Sequence, residues 1–479
     1  MEHYLLIDLG TGSTRAALAD SAGRILGIRS FQNAYRRDPA YADAQYFLPR
    51  EWETQLLRCL AELREAHPGI RVDAVSAAGA RQSIVLVDER GEAFYGLPNI
   101  DNRGAAYMDR IAGRDEIYRA SGRWVTEDFC AAKLMGLREV HPEIYRRTRQ
   151  VLSLSEWIAH IFTGVCAMEP SQACETQLYD LGTGRWSEEL CAAYGLDMDI
   201  LPRLLPSGSA LGPVRGGPAE LCGLAEGAPF IIGGADTQVA LRQLDMSPGD
   251  LAIVSGTTSP VTALSRERFF DPGQRVWTNA GLGGKGFVVE MNPGVTGLNY
   301  QRAKDGLCPD LSYEQLEALY AGKTAFECTA SFSSLLFYER RPLRRGGFFA
   351  RSPMADGLDR VDMVWAVLAD VACSIYEQLR RLSGLLGTQR DFVWGCGGGF
   401  RSPALCRMLA DLSGMSLRLK PGFEQATLLG LVRICCEGLG VPYSPVQADA
   451  AVDCAPEGHG LIHEYYPLWL ENRSRANEK

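Results

Sequence analysis

The chain has 479 residues, 46% hydrophobic and 22% charged, with a formal net charge of −9. That length predicts two large cores rather than one, and the composition excludes a disordered, collagen-like or coiled-coil chain. An acidic balance without a Lys/Arg cluster argues against nucleic acid as a partner.

Met1-Glu2-His3-Tyr4 leads straight into an apolar run with no basic segment ahead of it, so a cytoplasmic location is expected. Residues 4–8 predict a first strand ending in a carboxylate, Gly10 to Ser13 a tight turn, residues 15–20 a second strand and 25–30 a third. Trp52, Leu56, Leu57, Leu60 and Leu63 fall at helical spacing and predict a helix over 50–66. Strands follow over 72–77 and 84–88, then helices over 134–146 and 156–163. The most apolar long stretch, 151–168, is broken by Glu156 and His160 and is too polar to span a bilayer, so no membrane partner is expected. Ile231-Ile232-Gly233-Gly234-Ala235-Asp236 reads as a buried strand that breaks at two glycines and presents a carboxylate, with a helix over 237–244 behind it. A strand meander followed by alternating helices and strands indicates an α/β fold.

Met246-Ser247-Pro248-Gly249 breaks that helix and puts a domain boundary there, giving domains over 1–245 and 246–479. Strands are then predicted over 251–255, 260–264 and 286–290, with a Gly/Thr turn between the first two. A long amphipathic helix covers 361–386, a strand over 392–395 runs into Gly397-Gly398-Gly399, and helices follow over 402–413 and 427–438. Strand, Gly-Thr turn, strand thus occurs in both halves, which suggests a duplicated fold with a cleft between the halves. The 14 cysteines are scattered without a Cys-x-x-Cys pair and are read as reduced and mostly buried. His459 and His463 stand four apart, but Pro456, Gly458 and Gly460 around them favour a loop over a metal pair. Residues 471–479 read as a frayed polar tail.

Five segments carry residue types that suit phosphate and hydroxyl chemistry. Asp8-Leu9-Gly10-Thr11-Gly12-Ser13-Thr14-Arg15 can aim backbone N–H groups and hydroxyls at an anion, or can be a plain hairpin. Asp8 suits Mg²⁺, which takes one or two carboxylates plus waters and phosphates. Ser255-Gly256-Thr257-Thr258-Ser259 repeats this chemistry. Gly397-Gly398-Gly399 offers bare backbone against which a flat ring could lie, or a tight strand–helix turn. Asp236 could take a proton from a hydroxyl or could cap the helix behind it. Arg81-Gln82 and Asn99-x-Asp101-x-Arg103 follow predicted strands and offer polar hands to a hydroxylated ligand. There is no P-loop, and no complete dinucleotide fingerprint.

Taken together, these segments resemble the FGGY carbohydrate kinases of the actin-like, ribonuclease-H-like ATPase superfamily. Lys133-Leu134 with His141-Pro142-Glu143-Ile144-Tyr145, Thr163-Gly164, Pro170-Ser171-x-Ala173, Leu178-x-Asp180, Trp186, Glu339-Arg340-x-Pro342 and Ala410-Asp411 add matches in family order. The resemblance implies an ATP- and Mg²⁺-dependent kinase acting on a small open-chain sugar or polyol. It implies that Asp236 is the catalytic base and, with Asp8, a metal ligand. Gly10, Thr11, Gly12, Ser13, Thr14 and Arg15, with Gly256, Thr257 and Thr258, would face the ATP phosphates. Gly397, Gly398, Gly399 and Ser402 would face adenosine. Arg81, Gln82, Asn99, Asp101 and Asp236 would face the sugar. Gly136, Arg351, Ala369, Arg407 and Gln425 depart from the family's usual residues. Where xylulokinases carry Gln-Met-His-Gly and Trp-x-Asp, this chain reads Ala80-Arg81-Gln82-Ser83 and Asn99-x-Asp101, nearer to the autoinducer-2 kinase branch. An autoinducer-2 kinase is therefore an alternative; a catalytically inactive sugar and nucleotide binder, and an actin- or chaperone-like ATPase, are rivals. A homodimer is left open.

Overall fold

A computed structural model describes residues 1–214, 223–333, 337, 343, 345–443, 445 and 451–477. The Glu339-Arg340-x-Pro342 motif lies outside the described residues. The chain forms two compact units. The first holds Met1–Gln243 together with Arg266–Val288 and a stretch opening at Thr427; the second holds Leu244–Ser265, Val289–Ala426 and the C-terminal helix.

The first unit is built on a six-stranded sheet in the order Ala210–Pro213, Pro229–Ala235, Ala74–Gly79, His3–Leu9, Ser13–Asp20, Ile25–Gln32. The strands from His3, Ala74 and Pro229 are parallel; the hairpin strands on one side and Ala210–Pro213 on the other are antiparallel. The apolar run at the N-terminus is covered on both faces, so its side chains divide by parity. Leu5, Ile7 and Leu9 pack with Leu60, Val75, Trp157 and Ile158. Tyr4 and Leu6 pack with Ile231, Val239, Leu428 and Leu431 on the reverse face. Fully burying one such side chain stabilises by about 1.5–3 kcal/mol, so the strand that carries Asp8 is firmly anchored.

In the second unit, strands run in the order Val261–Ser265, Leu251–Val254, Phe392–Cys396, Ser416–Leu419, Val452–Cys454. Their directions, antiparallel, parallel, parallel, antiparallel, repeat those read from Ser13–Asp20 to Ala210–Pro213 in the first unit. The duplication suggested by the two Gly/Thr turns is therefore a duplication of topology. The helix Arg360–Leu386 begins where the Asp359 carboxylate accepts the Asp362 N–H at 2.8 Å, and it stops at Gly387, whose φ is 63°.

Two expectations change. The single helix expected over 134–146 is two, Cys130–Val140 and Pro142–Arg147. Pro142 pushes His141 out of helical geometry (φ −126°, ψ 61°). The expected polar tail is instead the end of the helix Leu461–Asn477. Arg473 is 2% exposed, and it donates to Ser331 Oγ (3.1 Å) and the Ser333 carbonyl (3.0 Å). Asn472 donates to Thr329 Oγ1 at 2.8 Å. The residues are polar because their buried partners are polar. The described cysteines are free, and all but Cys166 and Cys454 are buried. Among the described residues no helix is long and apolar enough to cross a membrane.

Candidate active site

The strand His3–Leu9 ends beside a turn that is held from below. Asp8 lies opposite Arg15 in the hairpin register, and the Arg15 guanidinium donates to Asp8 Oδ2. The Gly10 N–H closes the turn on the Ser13 carbonyl at 3.0 Å. Asn33 Nδ2 donates to the Gly10 carbonyl (2.7 Å) and more weakly to that of Thr11 (3.3 Å), and the Tyr35 hydroxyl also donates to Thr11 O. These carbonyls are thereby drawn inward, an arrangement that favours N–H groups facing outward to an anion. Thr11 and Ser13 are half-buried, and Gly12 is exposed with open space where a Cβ would stand. Thr14 differs from expectation. It is 1% exposed, and its hydroxyl donates to Asn33 Oδ1 at 2.9 Å, so it braces the turn and does not face a phosphate. Nothing in the spacing of Asn33 or Tyr35 marks them; the register that returns Asn33 N–H to the Gly12 carbonyl (3.0 Å) does.

Asp236 follows directly on the strand Pro229–Ala235, whose pairing with Ala74–Gly79 shifts register between Ile231 and Gly234. A Cβ on Gly233 would lie 2.0 Å from the Ala77 carbonyl oxygen, so only glycine lets the strands close there. Gly234 has φ of +150°, a backbone state that side chains rarely adopt. Asp236 then opens the helix Asp236–Gln243, and its Oδ1 accepts the Thr237 N–H at 2.7 Å. The carboxylate thus supports the helix start with one oxygen while remaining half-buried rather than sealed. Burial pushes its pKa up to about 6; the Arg81 guanidinium works against that rise, and the Asp8 carboxylate adds to it. Arg81 is also 3.8 Å from Glu175 Oε1, which accepts from the fully buried Arg123 at 2.7 Å.

The two loops expected at a substrate are stapled by one ammonium. Lys133 is fully buried, and its Nζ donates to the carbonyls of Gln82 (2.7 Å), Pro98 (3.0 Å) and Asn99 (3.1 Å). Three donors meet three acceptors, which is the full capacity of the group. Gln82 is one of the few residues other than glycine with positive φ (61°). Asn99 Nδ2 donates to Thr11 Oγ1 at 2.7 Å, its backbone N–H to Ser83 Oγ at 2.9 Å, and its Oδ1 is buried with no partner among the described residues. Asp101 has a different role from the one expected. It is 0% exposed, its Oδ1 accepts the Gln45 N–H, and its Oδ2 accepts Arg103 Nε, each at 2.8 Å. Its carboxylate is committed to holding the loop, leaving Arg81, Gln82 and Asn99 as the residues with side chains only half-buried.

In the second unit, Gly256 and Thr257 are exposed and Thr258 half-buried. The turn closes through the Gly256 N–H on the Thr258 carbonyl at 2.9 Å, and Thr296 N–H holds the Thr257 carbonyl at 3.1 Å. The glycine triplet packs directly on this turn. A Cβ on Gly397 would lie 2.3 Å from Ser255 O, and one on Gly399 2.1 Å from Ser255 Oγ. Gly399 N–H donates to Ser255 O at 3.1 Å. Gly397 and Gly399 are therefore required by their contact with Ser255, while Gly398 has open space where a Cβ would stand. Ser402 departs from the adenosine-facing role. Its hydroxyl donates to Glu317 and accepts the Leu405 N–H at 3.1 Å, capping the helix Pro403–Ser413.

Two α/β units of matched topology, each carrying a strand–Gly/Thr turn–strand element and one also a half-buried carboxylate, make up a duplicated fold of the actin-like ATPase type. The family model for the FGGY family of carbohydrate kinases, N-terminal domain, matches residues 3–242, and that for the C-terminal domain matches residues 251–437. The chain belongs to the FGGY family of carbohydrate kinases, enzymes that phosphorylate a sugar hydroxyl. Among curated relatives, "Putative sugar kinase YoaC" of Bacillus subtilis (strain 168) is 36% identical over 436 residues, covering 91% of this chain and 89% of that protein. An autoinducer-2 kinase of Salmonella typhimurium is 27% identical over 462 residues, covering 92% and 87%. Among solved structures, a ligand-bound xylulose kinase from Lactobacillus acidophilus has a TM-score of 0.85 at 16% identity, covering 100% of this chain and 99% of that one.

Proposed function

We propose that this carbohydrate kinase transfers the γ-phosphoryl group of ATP to a hydroxyl of an open-chain ketose, polyol or related small sugar. The observation that carries the reading is Asp236, a half-buried carboxylate at the end of a strand, whose pKa burial pushes up to about 6, close to working pH. Asp236 orients the acceptor hydroxyl and takes its proton. Arg81, Gln82 and Asn99 supply donors and an acceptor to the other hydroxyls. The N–H side of the Gly10–Gly12 turn and the exposed Gly256-Thr257-Thr258 turn receive charge on the phosphate oxygens, since phosphoryl transfer depends mainly on positioning and electrostatics. Gly397, Gly398 and Gly399 offer bare backbone for adenosine. The reaction is assigned to the cytoplasm.

Asp8 and Asp236 fit a Mg²⁺ ion. Their mutual repulsion contributes to the raised pKa of Asp236, and one or two carboxylates are what Mg²⁺ takes beside phosphate and water oxygens. The two would hold the ion, which when bound would neutralise charge on the phosphate oxygens.

A second reading, phosphorylation of 4,5-dihydroxypentane-2,3-dione, is supported by the half-buried polar side chains of Asn99 and Arg81 and by autoinducer-2 kinase relatives at 27–28% identity. The experiment is coupled ADP release across pentuloses, hexuloses, polyols and this dione. ADP release that depends on one added compound supports the kinase reading and names the acceptor; release independent of every compound contradicts it.

A further inference from the structure

We infer that Ser171, held in place by Glu169, is a positioning residue for Asp236. The inference rests on the reading of Asp236 as the base.

The strand before Asp236 carries a register shift between Ile231 and Gly234 and then pairs again, Gly234 with Ala78 and Ala235 with Gly79. Ala235 is 0% exposed, and its buried N–H needs a partner. Ser171 Oγ supplies it, accepting the Ala235 N–H at 3.0 Å. A hydroxyl has one proton to give. Ser171 gives its proton to Glu169 Oε2, which also accepts the Ser171 N–H at 2.7 Å. The other oxygen, Oε1, accepts the Gly283 N–H at 2.6 Å. Donors on both oxygens fix the Glu169 carboxyl, the carboxyl fixes the direction of the Ser171 hydroxyl, and the hydroxyl fixes Ala235, one residue from the base. Ser171 and Glu169 are both 0% exposed.

The glycine beside them shows how close this support lies. A Cβ on Gly234 would come within 3.0 Å of both Glu169 Oε2 and Ser171 Oγ. The strand end therefore rests on the pair through bare backbone, and any shift in the pair passes directly to residues 234–236. Buried as they are, Glu169 and Ser171 act through Asp236, and small misplacements of a reacting group are costly even when their source is remote.

The test compares wild type, Ser171→Ala, Ser171→Thr, Glu169→Gln and Asp236→Asn. Amide hydrogen exchange is followed over residues 233–237. Kinetics use whichever of D-xylulose, D-ribulose, erythritol and 4,5-dihydroxypentane-2,3-dione gives the fastest ADP release. Ser171→Ala is expected to raise exchange at Ala235 and to lower kcat by roughly tenfold to a hundredfold, with KM for ATP and acceptor within about threefold. Ser171→Thr, which keeps the hydroxyl, is expected to restore most of kcat and the protection. Glu169→Gln turns an N–H₂ group toward a donor and is expected to shift exchange and kcat in the same direction as Ser171→Ala. It serves as the reading if Ser171→Ala does not fold. Unchanged exchange at Ala235, or a loss of kcat that Ser171→Thr does not rescue, overturns the proposal. Failure of the underlying reading looks different. An active Asp236→Asn contradicts the base itself, whereas an inactive Asp236→Asn beside a fully active Ser171→Ala contradicts the positioning alone.

Discussion

Asn99 Nδ2 donates to Thr11 Oγ1 at 2.7 Å, joining the proposed sugar loop to the proposed phosphate turn across 88 residues of sequence. The bond uses one face of the amide, and the buried Oδ1 stays without a partner among the described residues. A hydroxyl-bearing acceptor can supply the missing donor. Asn99→Ala and Thr11→Val are each expected to lower kcat/KM, and the double variant to show a coupling of about 0.5–3 kcal/mol in a double-mutant cycle. Independent, additive effects would show that the contact does not matter to turnover. The polar side chains of Arg81, Gln82 and Asn99 predict that D-xylulose is a poorer substrate, by kcat/KM, than a more oxidised or more hydroxylated open-chain compound.

Asp101 and Arg103 form a pair with both side chains 0% exposed. Removing Asp101 leaves Arg103 with Asp38, at 3.3 Å, as its remaining carboxylate and takes the partner from the Gln45 N–H, which costs about 1–3 kcal/mol. Asp101→Ala is therefore expected to lower the melting temperature by several degrees as well as the activity. A variant with wild-type Tm and a loss confined to KM for the sugar would return Asp101 to the substrate-facing role.

Glu156 is 1% exposed, and burial pushes its pKa from 4.5 up to about 7, against hydrogen bonds from Ser153 and Ser155. A raised folded-state pKa means the fold binds the proton more tightly than the unfolded chain. The contribution is complete below about pH 4.5 and is lost as pH rises through about 7. Relative to Glu156→Gln, which cannot ionise, the wild type is expected to lose on the order of 3 kcal/mol of stability over that window. Parallel stability curves for the two proteins between pH 4.5 and 8 would contradict the shift.

Asp8→Ala is expected to abolish turnover while the fold persists, because the strand around it is buried by apolar contacts on both faces. It also leaves Arg15 without the carboxylate opposite it. Circular dichroism checks the fold and a Mg²⁺ titration of ADP release checks the role. A folded variant with wild-type Mg²⁺ dependence would remove Asp8 from the metal site.

The positions of the strands and of both Gly/Thr turns were legible because each depends on local chemistry: apolar runs, then glycines where the chain turns or approaches a neighbour. Asp236 was legible for the same reason, at the end of an apolar run broken by Gly233 and Gly234. The supporting residues were not. Asn33, Tyr35, Glu169 and Ser171 brace their turns through contacts set by strand register and by loops distant in sequence, which no local pattern encodes. Thr14, Asp101 and Ser402 carry the right chemistry for ligands, yet the fold uses it on Asn33, Arg103 and Glu317. Sequence shows which groups could bind and not which are already engaged. The C-terminal helix was missed because Asn472 and Arg473 look like solvated residues until their buried partners are known.

The central claim is that Asp236 takes the proton from the acceptor hydroxyl, and the most direct measurement is kcat of Asp236→Asn with the acceptor identified by ADP release. The substitution keeps the shape and the bond to the Thr237 N–H while removing the base. The account predicts a fall of roughly 10²–10⁴-fold, with ATP affinity little changed. An Asp236→Asn enzyme that keeps more than about a tenth of the wild-type kcat, well outside that range, would contradict it.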